Sequence, residues 1–288
     1  MSEDRIGVRK TLKLFVAGAF PRSESGRSYA VSTVTGEFLA NAAQASRKDA
    51  RDSVLAARAA VSPWTKATAY NRGQVLYRVA EVMEGRRSQF IEEVGQAEGA
   101  AAAATQVDAA IDRVVWYAGW ADKFAQVLGA SNPVAGPYFD FSIPEPTGVV
   151  VAIAPASSSL LGLVSVVAPI IVTGNTVIVI ASQPHPAPAI AWAEVFATSD
   201  LPAGVVNILT GDPAEIAPWL ASHADVNALD LSGIASVELA RDLQIAAADT
   251  VKRVHRWPVQ PDDLQAAPGV DRLAAFVETK TVWHPMGV

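Results

Sequence analysis

The chain contains no cysteine. That absence excludes a disulfide, a thiolate metal site and a thiol nucleophile, whatever the compartment. Positive charge is also sparse and scattered: 23 Lys and Arg stand against 29 Asp and Glu, for a formal net charge of -6. No basic block could neutralise a run of phosphates, which argues against nucleic acid as a partner. Met1 to Lys13 alternates charge with small residues and has no apolar core of signal-peptide length, so a cytoplasmic protein is expected. Between Glu145 and Glu194 charge disappears altogether, and the stretch is long enough to raise the question of a membrane span. Pro155, Ser157-Ser158-Ser159, Pro169, Gly174-Asn175 and Gln183-Pro184 cut it into pieces too short to cross a bilayer as one helix, so no membrane is expected. What is present, 50% hydrophobic residues in 288, suits the buried core of one large domain or two small ones.

Periodicity orders the rest. Leu14 to Phe20 reads as a short strand, and Ser32 to Glu37 as a turn between extended segments. From Asp49, Val54, Ala57 and Val61 lie on one helical stripe that Pro63 is expected to end. From Asn71, apolar residues at Val75, Leu76, Val79, Val82 and Met83 mark a second helix. The alanine-rich segment Gln96 to Leu128 continues the same period through Val107, Ile111, Val114, Val115, Ala118 and Ala121, and reads as a packing helix. Tyr138 to Ile143 alternates as a strand before the Pro144-Glu145-Pro146 break. Then the runs Gly148 to Ala154 and Thr176 to Ala181, separated by the apolar Leu160 to Val172, give strand, helix, strand. Parallel strands covered on both faces lose polar alternation in this way. Ala187 to Ala197 and Pro213 to His223 read as helices, and Val205 to Leu209 and Val226 to Leu231 as strands, which makes the middle of the chain an open α/β unit of Rossmann type. After about Thr250 the rhythm fades through Arg256-Trp257-Pro258 and Pro261-Asp262-Asp263, and Phe276 to Trp283 closes the chain as a strand in need of a partner.

Phe15-Val16-Ala17-Gly18-Ala19-Phe20, Thr35-Gly36-Glu37, Ala57-Arg58-Ala59-Ala60 with Trp64, Glu145-Pro146-Thr147-Gly148-Val149-Val150, Gly174-Asn175-Thr176-Val177, Leu201 to Asn207 and Thr210-Gly211 stand in an order that resembles the aldehyde dehydrogenase superfamily. The resemblance covers roughly Leu14 to Val254, and Lys280-Thr281-Val282-Trp283 resembles the family's C-terminal oligomerisation strand. Arg9-Lys10-Thr11 and Phe20 to Arg27 look like the second, degenerate unit of the family-sixteen aldehyde dehydrogenases. The implied fold is α/β, a Rossmann-like open parallel sheet with a small β oligomerisation element and no substrate domain. The implied organisation is a cofactor-type part over residues 1–137, an oligomerisation hairpin over 138–146 and a Rossmann-like core over 147–254. A connector over 255–273 replaces the substrate domain, and the terminal strand occupies 274–288.

The departures from the family's pattern fall on its chemistry. Where the resemblance places an oxyanion-donating Asn, the chain has Ser157, in Pro155-Ala156-Ser157, with a shorter reach. Where the family's Lys and Glu hold the adenosine ribose, Ile180 and Gln183 stand, and only the second can hydrogen-bond. The serine that meets the pyrophosphate is Ile234, in Leu231-Ser232-Gly233-Ile234, although backbone amides could still face an anion there. After Lys252-Arg253-Val254 the general-base glutamate is missing, and His255-Arg256-Trp257-Pro258 follows instead.

Other chemistry finds little support. Ser157, Ser158 and Ser159 lack a nucleophile elbow, His185, His223, His255 and His284 stand singly, and no pair of carboxylates is spaced for acid and base work. The aromatics Trp116, Tyr117, Trp120 and Phe124 lie at helical spacing and suit packing. The expectation is therefore a chain with no catalytic residue, no metal and no intact cofactor site. Its expected role is a non-catalytic subunit or scaffold that joins a full-length aldehyde dehydrogenase, or self-associates, through Tyr138, Phe139, Phe141, Ile143, Phe276, Thr279, Thr281, Val282 and Trp283. The alternative is a residual NAD(P)-binding oxidoreductase, and a plain homodimer is a third possibility.

Overall fold

The computed structural model describes residues 8–257, 264 and 266–287. An antiparallel pair, β1 (Ser28–Ser32) and β2 (Phe38–Ala43), opens the chain. The segment before it is no independent strand: Phe15 exchanges backbone hydrogen bonds with Ile208, and Val16 and Ala19 close a tight turn on each other. Ala17 and Gly18, both at positive φ, turn the chain too sharply for the extended run expected from Leu14 to Phe20.

Five helices follow. In α1 (Arg47–Lys66) a capping box closes the start, with the Ser46 hydroxyl accepting from Asp49 N–H and the Asp49 carboxylate accepting from Ser46 N–H. The helix runs past Pro63 instead of ending there. Buried Trp64, whose Nε1 donates to the Ile171 carbonyl at 2.8 Å, anchors this last turn. Next come α2 (Ala69–Gly85), α3 (Arg87–Glu98) and α4 (Ala100–Trp120), then the short α5 (Phe124–Leu128). Gly99, at φ 98°, interrupts what periodicity reads as one helix from Gln96.

A short β3 (Ala130–Asn132) and the nine-residue β4 (Tyr138–Pro146) come next. β4 is a single strand that carries Pro144 inside it and ends on Pro146. β3 stops opposite Ser142, so beyond that point β4 has an open side where a missing N–H leaves no ladder bond unmade.

The α/β core alternates β5 (Val149–Ile153), α6 (Leu161–Val172), β6 (Thr176–Ile180), α7 (Ala187–Phe196), β7 (Val206–Leu209), α8 (Pro213–Ser222), β8 (Ala228–Asp230), α9 (Val237–Ala248) and β9 (Arg253–His255). All five strands are parallel, in the order β7-β6-β5-β8-β9. Every residue of β5, β6 and α6 is buried, which is why charge is missing from that stretch: it is the centre of a layered core, not a membrane segment. Among the described residues no helix is long and apolar enough to cross a membrane. Neither α9 nor β9 is assigned from the sequence, and the three residues of β9 are too few to display a pattern.

After β9 a short α10 (Asp271–Ala274) packs near α6, and β10 (Val277–Pro285) ends the described chain. The expected connector residues Pro258 and Pro261-Asp262-Asp263 lie outside the described residues. β10 pairs antiparallel with β4 along its whole length, from Val277 opposite Pro146 to Pro285 opposite Tyr138. The terminal strand therefore has a partner within its own chain.

Candidate functional site

In an open parallel sheet the ligand crevice lies beyond the carboxyl ends of the strands, where the order reverses. Here that place lies between β5 and β8, and three loops meet there. After β5, Ser157 is exposed, the Ser158 hydroxyl accepts from Gly162 N–H at 2.9 Å, and Ser159 donates to the Glu98 carboxylate. Among the described residues neither Ser158 nor Ser159 hydrogen-bonds a histidine; their bonds start α6 and tie it to α3. After β6, Ile180 is fully buried in the core, Gln183 is exposed, and the Ser182 hydroxyl donates to the Ala156 carbonyl at 3.0 Å, joining two of the loops.

After β8, Ser232 N–H donates to the Asp230 carboxylate at 2.9 Å and its hydroxyl bonds the same oxygen. Gly233 N–H donates to the Ile153 carbonyl at 3.0 Å, and a Cβ at this position would sit 2.3 Å from the Ala154 carbonyl oxygen. Only glycine lets the β8 loop close onto the end of β5. Ile234 is 5% exposed and packs into the core, while Arg256 donates to the carbonyls of Ile234 and Ala235 at 3.0 and 3.4 Å. At the start of α9 the Ser236 hydroxyl already caps Leu239 N–H.

A model of the aldehyde dehydrogenase family matches residues 20–256 of this sequence. The chain belongs to that family. Over 250 residues it is 32% identical to cytosolic aldehyde dehydrogenase 1 of Elephantulus edwardii, covering 84% of this chain and 49% of that protein. It is likewise 32% identical over 253 residues to retinal dehydrogenase 2 of Gallus gallus, covering 85% and 48%. The structure of an NAD-dependent aldehyde dehydrogenase from Sinorhizobium meliloti superposes with a TM-score of 0.78 at 25% identity, covering 88% of this chain and 51% of that one. The chain thus spans about half the length of the relatives it matches.

Of the four positions that the resemblance assigns to the oxyanion and the dinucleotide, Ser157 and Gln183 are exposed and can hydrogen-bond, whereas Ile180 and Ile234 are buried hydrocarbons that offer a ligand no hydrogen bond, and Arg256 already occupies the carbonyls of Ile234 and Ala235. Among the described residues no group of three His, Asp or Glu side chains could hold a metal ion.

The residues expected at an interface gather elsewhere, on the sheet β10-β4-β3. Tyr138, Phe139, Ile143 and Trp283 are exposed large hydrophobics, Phe141 and Val282 are half-buried, and Thr279 and Thr281 are exposed. Tyr138 meets Trp283 edge to face at 5.7 Å, and Phe139 lies 5.4 Å from Phe141. Phe276 does not belong with them: it is 2% exposed, its ring packs edge to face on His255 at 5.1 Å, and its carbonyl accepts from Asn175 Nδ2 at 2.8 Å. It lies before the strand begins, where the chain leaves the core.

Asn175 is a residue whose role sequence reasoning missed. Fully buried, it accepts from Gly148 N–H at 2.7 Å, donates to the Thr173 hydroxyl at 2.9 Å and holds the Phe276 carbonyl. It thereby fixes the root of β10 against the starts of β5 and β6. Its place in Gly174-Asn175 after an apolar run was the only signal.

Proposed function

We propose that this chain is a non-catalytic member of the aldehyde dehydrogenase family that serves as a subunit or scaffold, docking its small sheet onto a full-length aldehyde dehydrogenase. The observation that carries the reading is the sheet itself. β10 is an edge strand of nine residues with no neighbour on its outer side among the described residues, and aromatic side chains stand exposed along it and β4. An edge of that length is a template for another strand and a liability when left open. The missing cysteine supports the same reading, because thiol chemistry would have to come from the partner. A cytoplasmic setting, without nucleic acid or membrane as partner, belongs to this proposal.

Co-expression of the chain with a full-length aldehyde dehydrogenase, followed by size-exclusion chromatography, tests it. The two are expected to elute together, and Phe139→Glu with Trp283→Glu is expected to separate them while leaving the far-ultraviolet circular dichroism of the chain unchanged. Separate elution of the unaltered chains sinks the heteromer.

A further inference from the structure

Three positive side chains that stand apart in the sequence line one cavity in the folded chain. Arg9 Nη1 donates to the Phe38 carbonyl and Leu12 N–H to the Asn41 carbonyl, so the segment before the first turn runs alongside β2. Side chains alternate along such an extended segment: Leu12 and Leu14 are buried, and Thr11 and Lys13 take the other face. In the β1–β2 pair the register sets Ser28 opposite Ala43 and Ala30 opposite Asn41, which puts Ser28 and Asn41 on one face as well. Between these two faces and the loop that carries Arg22 and Arg27 lies a cavity of about 300 Å³, lined by Thr11, Lys13, Arg22, Arg27, Ser28 and Asn41. That is the lower end of the range for small-molecule sites, about 300–1,000 Å³.

The loop is tied down at both ends and in the middle. Leu14 N–H donates to the Pro21 carbonyl at 3.1 Å, and Gln44 N–H donates to the Arg27 carbonyl at 3.0 Å. The Ser23 hydroxyl and Glu24 N–H donate to the two oxygens of the Asp49 carboxylate at 2.7 and 3.1 Å. Gly26, at φ 69°, turns the chain back so that its N–H reaches the Ser23 carbonyl at 3.0 Å. Arg22 and Arg27 are therefore carried by a fixed backbone. The carboxylates that touch this region have partners of their own: Asp49 also accepts from Ser46 N–H, Glu24 pairs with Lys48, and Glu215 holds one nitrogen of Arg27 and the Gln44 amide. Among the described residues the cavity lining holds three cations and no carboxylate.

We propose that this cavity is a binding site for a small polyol phosphate, a phosphate monoester whose phosphoryl group meets Lys13, Arg22 and Arg27. Such a group carries a charge of about −1.5 to −2 at pH 7 and presents three strong acceptor oxygens. Guanidinium groups answer two of those oxygens at once and an ammonium adds a point charge, whereas a single carboxylate brings one charge to three cations. Thr11, Ser28 and Asn41 both donate and accept, which suits the hydroxyls of a polyol. No aromatic side chain lines the cavity among the described residues, so a nucleobase has no ring to stack on. The site uses no residue of β3, β4 or β10, and it stands or falls apart from the docking of the small sheet.

Thermal unfolding of the full chain, titrated with glycerol 3-phosphate at constant ionic strength, reads the site. A saturable rise in Tm is expected, larger than the rise at equal concentrations of malonate or of adenosine 5′-monophosphate. Arg22 is exposed and Lys13 half-buried, so Arg22→Gln and Lys13→Gln are expected to leave the Tm without ligand nearly unchanged. Each is expected to raise the Kd for glycerol 3-phosphate about tenfold, the loss of one charge-assisted hydrogen bond. Arg78→Gln removes the same charge from the exposed face of α2 and is expected to leave the Kd where it was. No saturable shift with glycerol 3-phosphate overturns the proposal. Equal or tighter binding of malonate overturns the phosphate class, and tighter binding of adenosine 5′-monophosphate overturns the polyol. An unchanged Kd in both the Arg22 and Lys13 variants, or an equal loss in the Arg78 variant, overturns the location.

Discussion

Polar residues buried in this chain divide by what they accomplish. Asn175, Asn207 and the half-buried Asn227 tie down backbone: Asn175 accepts from Gly148 N–H, Asn207 accepts from Ala17 N–H and donates to the Gly204 carbonyl, and Asn227 accepts from Val149 N–H as well as from the Arg58 guanidinium. They satisfy turns that an apolar residue would leave unpaired, so they are architecture. Asp230 differs, being a carboxyl wholly withdrawn from water whose pKa burial raises above the ordinary 3.8. Below that value the acid is protonated whether folded or not, and it adds no pH dependence. As pH rises through it, the unfolded chain ionises first, the folded chain holds more protons, and stability falls until the folded value is passed. Asp230→Asn keeps an acceptor for Ser232 and removes the penalty, so its stability advantage over the parent is expected to widen from pH 4 to pH 7 in urea unfolding. A constant difference would show that Arg272 and His255 keep the carboxylate charged.

At the scale of elements, β10 is joined to the core at its root and free toward its end. Phe276 is buried at that root, whereas the ion pairs farther along, Arg253 to Glu278 at 2.6 Å and Lys280 to Glu145 at 2.9 Å, are exposed to solvent. Exposed pairs contribute little because water screens them and side-chain entropy opposes them. Phe276→Ala is therefore expected to cost about 3–5 kcal/mol. Arg253→Ala is expected to cost less than about 1 kcal/mol despite its two short contacts. Chemical denaturation of the two variants checks the ordering, and similar losses would mean that the strand is held by charge.

The whole molecule has the open parallel sheet of its family, with Ile180 and Ile234 buried at two of the strand ends. Isothermal titration of NAD and of NADP is expected to give no saturable binding below about 1 mM. Submillimolar affinity would restore the reading of an NAD(P)-dependent oxidoreductase. That outcome is separable from the docking of the small sheet, because Tyr138, Phe139 and Trp283 lie on other elements than β5, β6 and β8.

Sequence alone determined the parallel core, because strands covered on both faces must be apolar without alternation, and Val149–Ile153 and Thr176–Ile180 announce that condition locally. It also excluded a thiol nucleophile from these 288 residues, since a missing residue type needs no coordinates. Tertiary structure decided what depends on distant neighbours. It carried α1 past Pro63 through Trp64, made β9 a strand by pairing it with β8, and turned Phe276 inward while leaving Trp283 exposed. Burial and pairing are properties of the surroundings, and residues far apart in sequence supply those surroundings only when the chain has closed on itself.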